Sequence, residues 1–205
     1  MRQPFRAEFV AWGVRSICGV LFIITAGQMA RMLSSEMSGW EALFPALLLA
    51  TPLALCFLAL DLLAEAVEQH LLTHHLTRRL AAWLRWTPRI GMLLFALFIS
   101  MFALDVFGAG VGFWATAAAL TMHLLPTFVI LLVLAVAWRW PWAGGIVLLA
   151  TAGLFLLQFG PGWGGDWTLY LLFIGTPAMI ALLFLANRWL RGEMGESGAV
   201  APRPA

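Results

Sequence analysis

Lysine is missing from this 205-residue chain, and charged residues of any kind make up only 11% of it. Soluble domains carry about 25%. The shortage excludes a disordered chain, a nucleic-acid-binding domain and most soluble enzymes. Cysteine is equally scarce: Cys18 and Cys56 both lie inside apolar runs. They read as small hydrophobic side chains, not as a disulfide or a thiolate metal centre. There is no phosphate loop, zincin motif or dinucleotide fingerprint, and Ser16 and Ser100 have no accompanying histidine and aspartate. No catalytic residue is therefore assigned. The formal net charge of +2 is too small to specify a partner.

Hydrocarbon is what the chain has in excess, at 62% hydrophobic residues. They fall in six blocks, at 9–30, 42–66, 90–107, 113–137, 143–159 and 167–186. About 20 apolar residues cross a bilayer, and the shortfall of the fifth block can be met by flanking tryptophans and local bilayer thinning. The expected fold is an all-α, polytopic transmembrane helix bundle of six spans. Breaker clusters separate the blocks: Ser34, Ser35 and Gly39; Gly108, Gly110 and Gly112; then Gly160, Pro161, Gly162, Gly164 and Gly165. Trp138, Trp140 and Trp142 crowd the turn between the fourth and fifth spans, as indoles do at the headgroup level.

Arginine placement orients this bundle. With a cytoplasmic N-terminus, eleven arginines fall on the inner side, among them a shallow Arg15, and only Arg31 on the outer. The reading is a bacterial inner-membrane protein with both termini cytoplasmic. Arg15 interrupts the first apolar run and no A-x-A-like site follows it, so that run is read as a retained span. Four regions result: a two-span hairpin at 1–66, a basic amphipathic interfacial segment at 67–89, a four-span domain at 90–190, and a disordered cytoplasmic tail at 191–205.

In the interfacial segment Leu72, Leu76, Leu80 and Trp83 recur at helical spacing. Arg78, Arg79, Arg85 and Arg89 lie among them as a platform for anionic lipid or a partner, each worth about 1 kcal/mol near a charged surface. An ordinary positive-inside loop would have the same composition. Pro52, Pro126 and Pro177 each neighbour a threonine in spans two, four and six. Proline removes a helix hydrogen bond, and a nearby hydroxyl can satisfy the freed carbonyl, so these three are candidate hinges. Their similar depth also permits a reading as three helical hairpins.

Polar groups inside a bilayer are costly and so mark candidate sites. Asp105 is near the outer end of span three, and His123 shares a helical face with Thr116, Ala119 and Thr127 in span four. That face is expected to point into the bundle. A water-linked or separate arrangement of Asp105 and His123 is favoured over a direct pair, because their depths differ by about 12 Å at 1.5 Å per residue. Asp61, Glu65 and Glu68 share a face of span two, continued by His75. His70 and His74 are four apart, which permits joint metal ligation. However, they lie where span two leaves the membrane, and the reciprocal Glu-x-x-His pairs of a di-iron bundle are absent. His123 is the only deep histidine, against haem ligation. No metal and no cofactor are expected.

From about residue 88 to 190 the chain resembles a four-span domain of small bacterial membrane proteins, known only as a domain of unknown function. The matching phrases are Phe102-Ala-Leu-Asp-Val-Phe107, His123-Leu-Leu-Pro-Thr127, and Ala137-Trp-Arg-Trp-Pro141 followed by Ala143-Gly-Gly145. The resemblance implies no activity. The residues favour a non-catalytic bundle that binds lipid, a membrane-protein partner or a second copy of itself. The alternative is a small permease or proton-coupled carrier using Asp105, His123 and Thr127.

Overall fold

Every described element is helical, as the apolar blocks require: backbone groups in hydrocarbon must be satisfied within their own segment. The computed structural model describes residues 4–36, 43–109, 112–159, 162, 164 and 167–195. The elements are α1 (Pro4–Glu36), α2 (Leu43–Thr73), α3 (Arg78–Met101), α4 (Phe113–Arg139), α5 (Pro141–Phe159), α6 (Trp167–Tyr170), α7 (Thr176–Trp189) and α8 (Arg191–Gly195). A tighter 3₁₀ turn, Phe102–Ala109, extends α3, and a wider π segment, Leu171–Gly175, joins α6 to α7.

Five helical stretches are long and apolar enough to cross a membrane: Leu49–Thr73, Arg78–Phe107, Phe113–Arg139, Pro141–Gln158 and Trp167–Trp189. Within α1 the apolar stretch is the shorter Trp12–Gln28. Length and composition thus support five spans among the described residues, one fewer than the apolar blocks suggest.

Helix α3 is the hub, packing against α2, α4 and α7. Its buried residues include Leu80, Leu84, Thr87, Gly91, Phe95 and Phe98, recurring every three or four positions along one face. Met92, Phe95 and Phe98 meet Ile130, Val133 and Leu134 of α4, Leu148 of α5 and Ile180 and Phe184 of α7 in the main core. A second cluster nearer the arginine-rich end joins Leu62 and Ala66 of α2 to Leu76, Leu80, Leu183 and Leu190. Helix α4 buries only Thr127, Ile130, Val133, Leu134 and Ala137. The rest of its apolar surface points outward, where lipid can solvate it.

The 67–89 segment is not a separate surface helix. Residues up to Thr73 continue α2, a turn follows, and Arg78 already begins α3. Thr73 Oγ1 donates to the Gln69 carbonyl at 2.8 Å, and Gln69 Oε1 accepts from the Thr77 amide at 2.9 Å. Thr77 then caps α3 by accepting from the Leu80 amide. Leu76 and Leu80 are buried in the bundle, which absorbs the apolar stripe that suggested an interfacial helix.

Of the expected disordered tail at 191–205, the described part, Arg191–Gly195, is helical. Residues 196–205, with Arg203, lie outside the described residues, as do Arg2, Gly39, Trp40, Gly110, Gly160, Pro161 and Gly165 of the expected topology.

The prolines behave unequally. Pro52 in α2 and Pro177 in α7 are both buried. They face one another through Thr176, whose hydroxyl lies 3.1 Å from the Pro52 carbonyl and 3.2 Å from that of Leu171. The π segment immediately precedes this Thr-Pro step, as expected where proline disrupts the normal ladder. Pro126 is exposed on α4, and the buried Thr127 hydroxyl beside it has no hydrogen-bond partner among the described residues.

Candidate functional site

The intramembrane polar residues do not assemble. Asp105 sits in the 3₁₀ turn with its side chain exposed, and His123 is exposed on α4. His123 Nδ1 lies 2.9 Å from the Ala119 carbonyl one turn back, so that nitrogen finds its partner within its own helix. No ion pair or hydrogen bond joins Asp105 to His123 among the described residues, and only Thr127 of the expected inward face is buried. The inward orientation of His123 is corrected: burial on α4 starts at Thr127, so the preceding turn faces out.

Asp61, by contrast, has a partner. Arg15 of α1 lies against the carboxylate face of α2, with Nε 3.0 Å from Asp61, NH2 3.7 Å from Glu65 and NH1 3.8 Å from Glu68. Charges pair in this way where water is scarce. Arg15 is therefore a tie between two helices.

The arginines of 78–89 also divide. Arg79 shares a cavity with Asp61 and Glu65. Arg85 and Arg89 line a different one, about 490 Å³ in volume, together with Arg139 at the end of α4, Arg188 near the end of α7, and Arg191 of α8. Successive helix residues are about 100° apart, so Arg85 and Arg89 nearly eclipse one another while Arg79 lies to the side. Trp138 forms one wall, with its ring 5.4 Å from the Arg89 guanidinium carbon. That cation–π contact helps to orient a positively charged group. Asn187 donates to the Leu84 carbonyl at 3.1 Å and holds α7 against α3 at the same level. Arg89 also donates to the Arg85 carbonyl, tying these two groups along α3.

Five guanidinium groups thus line one cavity, and no carboxylate is among the described residues lining it. Two further apolar spaces follow α4 away from this end. One is an open groove along Leu131, Leu134, Ala135, Trp138 and Arg139, sharing the last two residues with the arginine cavity. The other, about 300 Å³, is lined by residues that include Phe95, Pro126, Val129, Phe155 and Pro177. Charge thus gathers at one end, with hydrocarbon along the adjoining helix.

Sequence reasoning found Arg85 and Arg89 but missed Arg139, Arg188 and Arg191 as their companions, because helix packing rather than spacing brings these together. It also missed Glu193, whose Oε1 lies 2.6 Å from His70 Nδ1.

No curated protein and no solved structure matches the chain. Residues 76–195 match the family described as "Domain of unknown function (DUF7670)". The match covers all five arginines of the cavity and extends beyond the 88–190 resemblance at both ends, while α1 and α2 lie outside it. By that match over more than half its length, the chain belongs to the DUF7670 family.

Proposed function

We propose that this protein is a non-catalytic inner-membrane bundle that binds an anionic phospholipid, with the headgroup phosphate in the five-arginine cavity. The convergence of Arg85, Arg89, Arg139, Arg188 and Arg191 without a lining carboxylate carries the reading. Five like charges repel one another unless an anion joins them, and guanidinium groups bind phosphate oxygens in a forked, directional way. A basic cavity between helices at the cytoplasmic end fits an anionic headgroup, and the apolar groove beside Trp138 suits the acyl chains. In this reading α1 is the sixth span, both termini are cytoplasmic, and the cavity opens to the inner leaflet.

The headgroup test uses the full chain with spin-labelled lipids. Phosphatidylglycerol should be immobilised in preference to phosphatidylcholine, with inorganic phosphate as a competitor that distinguishes a headgroup site from a soluble-anion site. At about 1 kcal/mol per arginine, the Arg139→Gln/Arg188→Gln double variant should weaken phosphatidylglycerol binding by about 30-fold. Phosphatidylcholine binding should not change. Equal retention of both lipids by the parent, or an unaltered preference in the double variant, would refute the assignment. Displacement by millimolar inorganic phosphate would make the ligand a free anion instead.

Topology is tested separately, in a background lacking Cys18 and Cys56. Gly162→Cys should react with an impermeant thiol reagent from outside the cell, and Gly192→Cys only after permeabilisation. Both positions have open space for the new side chain. The opposite labelling pattern would reverse the orientation.

A further inference from the structure

At the end of α2 three side chains from distant parts of the sequence converge. His70 lies on the last turn of α2, His74 on the turn beyond it, and Glu193 on α8. One ligand-capable atom from each lies within 4.8 Å of the others. We propose that His70, His74 and Glu193 form a binding site for a divalent transition-metal ion of the zinc class. Two imidazoles and a carboxylate are a borderline donor set suited to such an ion, and three protein ligands leave a fourth position for water.

Three observations beyond proximity point to a cation. Glu193 Oε2 is buried and has no hydrogen-bond partner among the described residues, although its sister oxygen faces His70. A buried, unsatisfied carboxylate oxygen is costly, and a metal ion would satisfy it. Secondly, His74 has φ of 54°, the left-handed conformation in which glycine is favoured at a helix C-terminus. A histidine there costs about 1 kcal/mol or more in backbone energy, and its ring lies 5.4 Å from that of His70. Thirdly, the site is at the carboxyl end of α2, where the helix dipole favours positive charge. The His74 amide still donates to the His70 carbonyl at 3.2 Å, which keeps the two histidines one turn apart. Trp189 packs 4.9 Å from His70 and walls one side.

Tetrahedral ligands at about 2.0–2.2 Å from zinc stand about 3.4 Å from one another. The His70–Glu193 separation of 2.6 Å must therefore open slightly on binding. The ion would then replace the hydrogen-bonding proton between His70 and Glu193, held by both carboxylate oxygens so that Oε2 is satisfied as well as Oε1. Bound there, it would pin α8 to α2. Arg191, two residues before Glu193, lines the arginine cavity, so the metal would also brace one wall of that site. The metal site stands on its own residues and does not depend on lipid binding.

The test titrates the untagged, EDTA-stripped full chain in detergent with Zn²⁺ against a chromogenic chelator, and with Co²⁺ by visible absorption. One ion per chain and an intense tetrahedral Co²⁺ band are expected. His74→Gly relieves the left-handed backbone, so the metal-free variant should melt at or above the parent temperature while its Zn²⁺ affinity falls by about 100-fold or more. Glu193→Gln should lose affinity to a similar extent. If the parent has no Zn²⁺ site tighter than about 100 µM, about −5.5 kcal/mol, or if either variant binds as the parent does, the proposal fails.

Discussion

Arg15→Gln is expected to destabilise the bundle by about 2–3 kcal/mol, enough to lower the melting temperature by about 5–10 °C in a chain of this size. The physical cause is what the substitution leaves behind. Asp61, Glu65 and Glu68 occupy one face of α2, and Arg15 is the cation that the three share. Removing it exposes each carboxylate to two like-charged neighbours while sparing them none of their desolvation. Side-chain exposures of 33% for Arg15 and 49%, 36% and 19% for the acids place the cluster between a surface pair and a buried one. Surface pairs are worth about 0–1 kcal/mol and broken buried pairs about 3–5. The check is thermal unfolding in detergent, with Asp61→Asn/Glu65→Gln introduced on the Arg15→Gln background. Removing two of the orphaned charges should recover at least half of the loss. An unchanged melting point for Arg15→Gln, or no recovery, would show that the cluster does not hold α1 to α2.

That cluster also shows how far the residues alone lead. The carboxylate stripe is legible because Asp61, Glu65 and Glu68 recur at helical spacing, which is a property of one helix. Its partner is not, because Arg15 is 46 positions away and its pairing depends on how α1 and α2 pack. Charge asymmetry likewise identifies an arginine-rich end, yet only the packing of α4 and α7 against α3, with α8 beside α7, turns separated arginines into one cavity.

His123 is a different failure. Helix α4 is apolar nearly all round, so hydropathy gives no direction for its inner face, and the small residues near His123 suggested close packing. The narrow stripe that is buried starts at Thr127 instead. Five of the six apolar blocks overlap helices long and apolar enough to cross a membrane, because length against bilayer thickness is a one-dimensional property. In the 67–89 segment the leucine spacing does not choose between a helix on a membrane surface and one buried against a neighbour, and the structure buries Leu76 and Leu80. His74 shows a further limit, as only the backbone reveals its left-handed conformation.

A matched pair of glycine substitutions in α5 is expected to have opposite effects. Gly144→Ala should cost about 3 kcal/mol, whereas Gly153→Ala should be neutral or stabilise by up to about 1 kcal/mol. Both replace a helical glycine by the best helix former, so propensity alone favours both. Space separates them. A Cβ at Gly153 meets nothing within 4 Å, while one at Gly144 would lie 2.2 Å from the Ala137 Cβ and 2.7 Å from its Cα. Ala137 is fully buried, and a backbone atom cannot rotate away, so α5 would have to withdraw from α4. Withdrawal is opposed on the far side too, because Gly145 lets α5 approach α7: a Cβ there would lie 3.0 Å from the Ala181 carbonyl oxygen. Small residues at such crossings let membrane helices gain buried area without a hydrophobic driving force between them. The variants are compared by thermal unfolding in one detergent, with Ala137→Gly added to Gly144→Ala as the decisive arm. Deleting the Ala137 Cβ removes the 2.2 Å clash but leaves the backbone of residue 137 only 2.7 Å away, so rescue should be partial. Full stability of Gly144→Ala on its own would mean that α4 and α5 do not cross this closely.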